Sequence, residues 1–294
     1  MEVLEEKAAK LSFSGHESFQ CRQLWLKKGY DYIKAGKTFN DNDAVVTLGV
    51  GKNMVSSIRF WMKAFNILDT KDEITEFGHK MFDTESGWDP FLEDETSIWL
   101  LHYQLVKSNL ASIYNIIFND FRKEKITFNK DSFLSFMKRK KEAEQFNYNE
   151  NTVTEDFGVF IKMYQVNGIN TKDIEDSFSG VLSELELLRT YDSGKNEVYQ
   201  IENNDKLKIN DVVILYSILD NSDYGKSVSF NSLELDNNGP CSIFAINRNS
   251  LTNKLNNIAS TFKGITFTDH AGIKELQFKN KSIGYDILDQ YYGK

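Results

Sequence analysis

Residues Asp43–Phe65 read DAVVTLGVGKNMVSSIRFWMKAF, and two opposed interpretations compete for them. Gly-Val-Gly-Lys at 49–52 resembles the end of a phosphate-cradling loop. Such a loop needs an earlier glycine, so that the backbone can curl round the phosphates. It also needs Ser or Thr after the lysine to hold magnesium. Val46 and Asn53 occupy those two places, so the nucleotide loop is rejected. The alternative is a helix-turn-helix, two short helices about a tight corner. Gly49 takes the corner because a Cβ is disfavoured in left-handed backbone. Asp43 suits the N-cap of the first helix. The second helix is predicted from about Lys52 to Phe65, with Val55, Ile58, Met62 and Phe65 on one face. The opposite face carries Lys52, Asn53, Ser56, Phe60 and Lys63, with Arg59 on its flank. No acid lies between Asp43 and Asp69. That surface suits phosphates and base edges. The same packing also serves protein-docking units, where an exposed Phe60 would be an anchor.

The flanks extend this unit. Asp69–Glu73 is a polar turn, Ile74-Thr75 a short strand, and 75–82 a further helical stretch. Residues 39–82 then form a winged helix, with 1–38 packing on it. Over 83–126 a helical hairpin is predicted, with helices Thr96–Val106 and Leu110–Phe121 joined near Ser108-Asn109. Trp99, Leu100 and Tyr103 face Tyr114, Ile117, Phe118 and Phe121. Asp89 with Pro90 reads as a helix start, and Glu93 and Asp94 favour its positive end.

The pattern recurs twice downstream. Residues 127–202 suggest a second winged-helix-like unit. Asn129 or Asp131 caps a helix running into Lys138-Arg139-Lys140-Lys141, and Thr152 with Glu155 makes a capping box for a helix to Tyr164. A hairpin pairs 187–191 with 197–201 across Asp192-Ser193-Gly194-Lys195. Residues 207–294 form the third unit. It has a buried helix at Asp211–Leu219, an outward helix at Asn249–Phe262, a wing over 265–278 turning at Asp269–Gly272, and a tail helix from Ile283 to Tyr292. Leu251, Leu255, Ile258 and Phe262 make the core stripe of the outward helix. Asn249, Asn253 and Asn256 lie outside it, flanked by Arg248 and Lys254. Asparagine can pair with the adenine edge; solvated polar residues in an Asn-rich chain give the same pattern. The expected fold class is therefore mainly α with small β-hairpins, built as tandem winged helices around a helical hairpin.

Composition limits the function classes. The 294 residues are 40% hydrophobic and 13% aromatic, enough for two or three small cores. No run of about 18 apolar residues spans a membrane. The start, MEVLEEKAAKLSF, lacks the apolar core of a signal peptide. With Cys21 and Cys241 far apart, the expected compartment is a reducing cytoplasm. A net charge of −8 excludes a wholly basic nucleic-acid coat but not a basic face. His16, His79, His102 and His270 form no HxxxH metal pair, and neither cysteine has a histidine beside it. His16-Glu17, inside Phe13-Ser14-Gly15-His16-Glu17-Ser18-Phe19, reads as an anchoring cluster. The expectation is a non-enzyme without metal or cofactor.

Several segments occur together in one order: Phe13–Phe19, Trp25–Gly29, Leu48–Val55, Trp88–Asp94, Trp99–His102 and Ile287–Gly293. This series resembles a bacterial family of unknown function, DUF4007. The family has no established catalytic residues to carry over. The resemblance implies a place beside DNA phosphorothioate-modification genes, with a cysteine desulfurase or a sulfurtransferase as partner. Two scattered cysteines make the chain a poor sulfur carrier, so the sulfur chemistry would lie with those partners. The expectation is a subunit that binds double-stranded DNA. Lys52, Arg59, Lys63, Arg248 and Lys254 would neutralise phosphates; Asn53, Ser56, Asn249 and Asn253 complete the expected contact set. A repressor of its own operon and a protein-protein adaptor are the alternatives.

Overall fold

The stretch at 43–65 forms two helices set about a left-handed corner. In the computed structural model, which describes residues 11–166, 179–192, 197–206, 208–270, 272–281 and 284–294, the first helices are α1 (Trp25–Lys34), α2 (Ala44–Leu48) and α3 (Lys52–Ala64). Gly49 has φ 66°, and nothing crowds the place of its missing Cβ. It serves the backbone conformation rather than close packing. Val55, Ile58, Trp61, Met62 and Phe65 are all buried. One antiparallel bridge then joins Leu68 to Ile74. The Thr75 hydroxyl accepts from the Gly78 amide and caps α4 (Glu76–Phe82).

The helical hairpin follows. α5 (Glu95–Ser108) ends at Asn109, whose φ of 53° turns the chain. α6 (Ser112–Ile116), a π-helical turn (Ile117–Phe121) and α7 (Arg122–Glu124) form one continuous run. The aromatic residues expected between the two arms are buried. Asp89 does not start a helix, contrary to expectation. Its two carboxylate oxygens accept the Glu93 and Asp94 amides at 2.9 Å each, which closes a turn. Asp94 is the N-cap instead, accepting from the Thr96 amide.

The rest of the chain runs twice through a similar order of elements, the second time with one more α-helix. The α6–α7 run leads to β1 (Thr127–Phe128), α8 (Lys130–Glu144), α9 (Glu150–Tyr164), β2 (Arg189–Asp192) and β3 (Glu197–Gln200). α10 (Asp211–Asp220) leads to β4 (Ser227–Ser229), α11 (Phe230–Leu235), α12 (Pro240–Phe244), α13 (Arg248–Thr261), β5 (Ile265–His270) and β6 (Ile273–Phe278). The antiparallel sheets are ordered β1-β3-β2 and β4-β6-β5. In both, the first strand pairs with the last. α8 is capped by Asn129 in a box with Ser132. α9 is capped by Asn149, which accepts from Asn151 and Thr152, so the expected Thr152 cap lies inside the helix. β1, β4, α11 and α12 were not legible beforehand. Ser193–Lys195, Leu207, Ala271 and Ile283, named in the expected turns and boundaries, lie outside the described residues. The chain is mixed α/β, 52% helical with two small antiparallel three-stranded sheets, so helices supply most of its scaffold.

A single apolar cluster runs through most of these elements. The tail closes it. In α14 (Tyr285–Tyr292), Asp289 accepts from Lys80 at 2.7 Å and from the Trp88 indole at 2.8 Å. Tyr292 stacks on Trp88 with centroids 5.7 Å apart. Its hydroxyl meets Ser97 at 2.8 Å. The Trp88–Asp94 and Ile287–Gly293 segments, far apart in sequence, thus hold one another.

Candidate nucleic-acid interface

The start of α3 is an exposed part of the expected contact surface. Its N-cap is Gly51, which supplies no capping side chain, and its first turn holds no acid. The first amides of a helix have no partner within it and point toward an anion. Lys52, Asn53 and Ser56 are exposed around this end. Farther along, the charges are already engaged. Arg59 grips Asp72 with two bonds, Nε to Oδ1 at 3.0 Å and Nη2 to Oδ2 at 2.5 Å. Lys63 shares the same carboxylate at 2.9 Å. Arg59 holds the Asp72 carboxyl below its usual range. The helix is free of acids in sequence but not in space, because the turn after Asp69 folds back beside it.

Phe60 is not the exposed anchor expected of it. Its ring covers Gly15, where an added Cβ would sit 2.5 Å from it, and packs edge-on to His16 at 5.8 Å. His16 is buried, and its Nε2 donates to Asp156 at 2.9 Å. Its Nδ1 accepts from the Ser18 amide at 3.2 Å. Both Asp156 oxygens lie 3.1 Å from the Ser14 amide. The Phe13–Phe19 segment is therefore pinned between α3 and α9. Asp156 was missed in the sequence, although an acid among Val153, Phe157 and Phe160 on an apolar face is a signal for a buried partner.

α13 shows a second polar face. Asn249 and Asn253 are exposed. Asn256 is also exposed but donates its amide to the Thr252 carbonyl at 3.0 Å. Arg248 bonds Glu234 and lies 4.7 Å over the Phe230 ring. Lys254 requires a correction: it is 7% exposed, and its ammonium donates to the Ile209 carbonyl with Asp211 at 3.4 Å. Position 254 follows Leu251 by three residues, so it falls on the buried stripe and not outside it. A groove of about 630 Å³ beside α13 is lined by Asp205, Lys208, Asp211, Asn249 and Asn253, a mixture of charges. Two residues of the basic run on α8 are likewise paired. Arg139 meets Glu124 at 2.6 Å, and Lys140 meets Asp120 at 2.8 Å.

Two solved structures resemble the whole fold. Magnesium ion-bound SspB superposes with a TM-score of 0.86, at 25% identity, over 98% of this chain and 89% of that one. A second SspB structure gives 0.82 with the same identity and coverage. SspB is a phosphorothioation-system protein. No match was found among curated proteins. The family described as "Protein of unknown function (DUF4007)" matches residues 13–292, and the chain belongs to it.

Proposed function

We propose that this chain is a non-catalytic DNA-binding subunit of a bacterial DNA phosphorothioate-modification or related defence system. The family and the whole-chain likeness to SspB support the system. The DNA reading rests on one observation: the uncapped start of α3, behind a left-handed Gly49 corner, with Lys52, Asn53 and Ser56 exposed around it. In this reading the repeated order of helix, strand, helices and two strands is a winged helix, with β2–β3 and β5–β6 as wings. Lys52 meets a phosphate, Asn53 and Ser56 reach base edges, and Asn249 and Asn253 present a second amide row.

The magnesium of the SspB neighbour suggests a fit test on this chain. Among the described residues no group of three or more His, Cys, Asp or Glu side chains is arranged to hold a metal ion. The carboxylates of Asp89 and Asp94 are occupied with backbone amides.

An adaptor is the second reading, favoured by apolar residues left open beside the same corner. Val46 on α2 is 82% exposed and Leu24 before α1 is 55% exposed. Fluorescence anisotropy with duplex DNA at two salt concentrations separates the readings. Binding that weakens steeply with salt, and weakens again in Lys52→Ala, is the expected result. No binding at low salt gives the adaptor precedence.

A further inference from the structure

Arg122 is a buried cation without an acidic partner among the described residues. It follows directly on the π-helical turn Ile117–Phe121, a rare distortion that is frequent at functional sites. The guanidinium Nη1 donates to the Ser242 carbonyl at 2.8 Å, Nε approaches the Ile201 carbonyl at 3.5 Å, and Nη2 bonds Asn203 Oδ1. All three acceptors are neutral. A guanidinium carries five N–H donors in a fixed fork, so donors remain. Buried charges are otherwise paired, because leaving one uncompensated is costly. Lys254 and Lys27, the other buried Lys and Arg side chains among the described residues, each reach a carboxylate.

The neighbourhood sharpens the anomaly. Arg122 lines a cavity of about 360 Å³ with Phe118, Lys123, Glu234, Leu235 and Arg248. Its guanidinium lies 5.5 Å over the Phe118 ring. Lys123 is also held by neutral oxygens, the Leu235 carbonyl at 3.0 Å and Asn237 Oδ1 at 2.8 Å. Glu234 is spent on Arg248. The Asn119 side chain, inside the π turn, accepts the Asn238 amide at 2.7 Å and donates back at 2.9 Å. That reciprocal lock fixes the loop leading into α12, which carries the Ser242 carbonyl. The cavity thus has an apolar wall and holds two cations whose partners among the described residues are neutral, in a chain of net charge −8.

The geometry points to a binding site for a phosphate monoester on a small body, of mononucleotide size, with Arg122 and Lys123 gripping the phosphoryl oxygens. A cavity of this volume is within the ordinary range for small ligands, and the Arg fork matches a phosphate with two parallel bonds. This site stands apart from the α3 surface and does not depend on the DNA reading.

Isothermal titration of the full chain with inorganic phosphate and with deoxyadenosine monophosphate tests it. Saturable binding of the monophosphate is expected, tighter than that of phosphate if the apolar wall contributes; equal affinities assign the site to free phosphate. Arg122→Lys keeps the charge but loses the fork, and about tenfold weaker binding is expected. Because Arg122 is buried, Lys123→Gln provides a surface control with a loss of about threefold expected. Absence of heat from both ligands up to roughly 5 mM, a weak-binding ceiling on the affinity scale, overturns the proposal. So does unchanged affinity in both folded variants.

Discussion

α9 and α13 are each the last α-helix before the closing strand pair in two similar runs of elements, yet they do opposite things. α9 buries Val153, Asp156, Phe157, Val159, Phe160, Ile161, Met163 and Tyr164, leaving little of its middle to solvent. α13 buries only Ser250, Leu251, Lys254, Leu255 and Ile258. The difference is written in the second face. α9 carries aromatic residues there and one carboxylate that seats the Phe13–Phe19 segment. α13 carries Asn249, Asn253, Asn256 and Asn257, which have no apolar surface to give up. One copy is a packing hub; the other keeps a helix free to meet a partner. A similar topology therefore says where the last α-helix before the strand pair lies, not what it is for.

The strongest way to break this comparison is to strike the hub. Phe160 contacts Tyr114, Phe118 and Tyr164 and is fully buried. Phe160→Ala should destabilise the chain by about 3–5 kcal/mol, read as a lower denaturant midpoint. A loss under about 1 kcal/mol would deny α9 its role as hub.

Acid tests the joint between the two copies. His102 donates Nε2–H to the Ile243 carbonyl and accepts the Tyr164 hydroxyl at Nδ1, both at 2.8 Å. Burial lowers its pKa to about 3, against about 6.5 in the unfolded chain. The unfolded state binds the proton first. The stabilisation from keeping His102 neutral is complete above about pH 6.5 and is lost as pH falls toward 3, at roughly 1 kcal/mol per pH unit. Urea melts at several pH values should show this slope, and His102→Gln, though weaker at pH 7, should flatten it. A parallel slope in the variant assigns the acid sensitivity to other groups.

The contact surfaces differ more gently. Asp72→Asn frees Arg59 and Lys63 from their shared carboxylate, so DNA binding should strengthen several-fold and its salt slope steepen by about 1–2. Lys52→Ala should weaken binding and reduce the slope by about 1. Lys254→Ala should leave the slope unchanged and cost stability instead, since its ammonium faces inward. Equal slopes in Asp72→Asn and the native chain would remove α3 from the interface. The smallest effect belongs to Asn253→Ala. Stability should stay within about 0.5 kcal/mol, while site selection on random duplexes should show altered base preference if α13 reads DNA.

Local chemistry made much of this legible. The α3 stripe of Val55, Ile58, Met62 and Phe65, the Gly49 corner, the 96–121 hairpin and the β2–β3 and β5–β6 pairs all follow from periodicity and turn residues. Those signals act over a few positions, and the chain carries them openly. β4, by contrast, is three residues long and becomes a strand only because β6 offers it an edge. Tertiary structure also decided which cations are free. Asp72 reaches back to Arg59 and Lys63, Asp211 takes Lys254, and Arg122 meets only neutral oxygens among the described residues. Charge pairing depends on distance in space, and folding brings together residues that spacing cannot relate. The sequence by itself determined helices such as α3, α5 and α13 and most of their polar residues; the packing alone decided which of those residues still has a charge to offer.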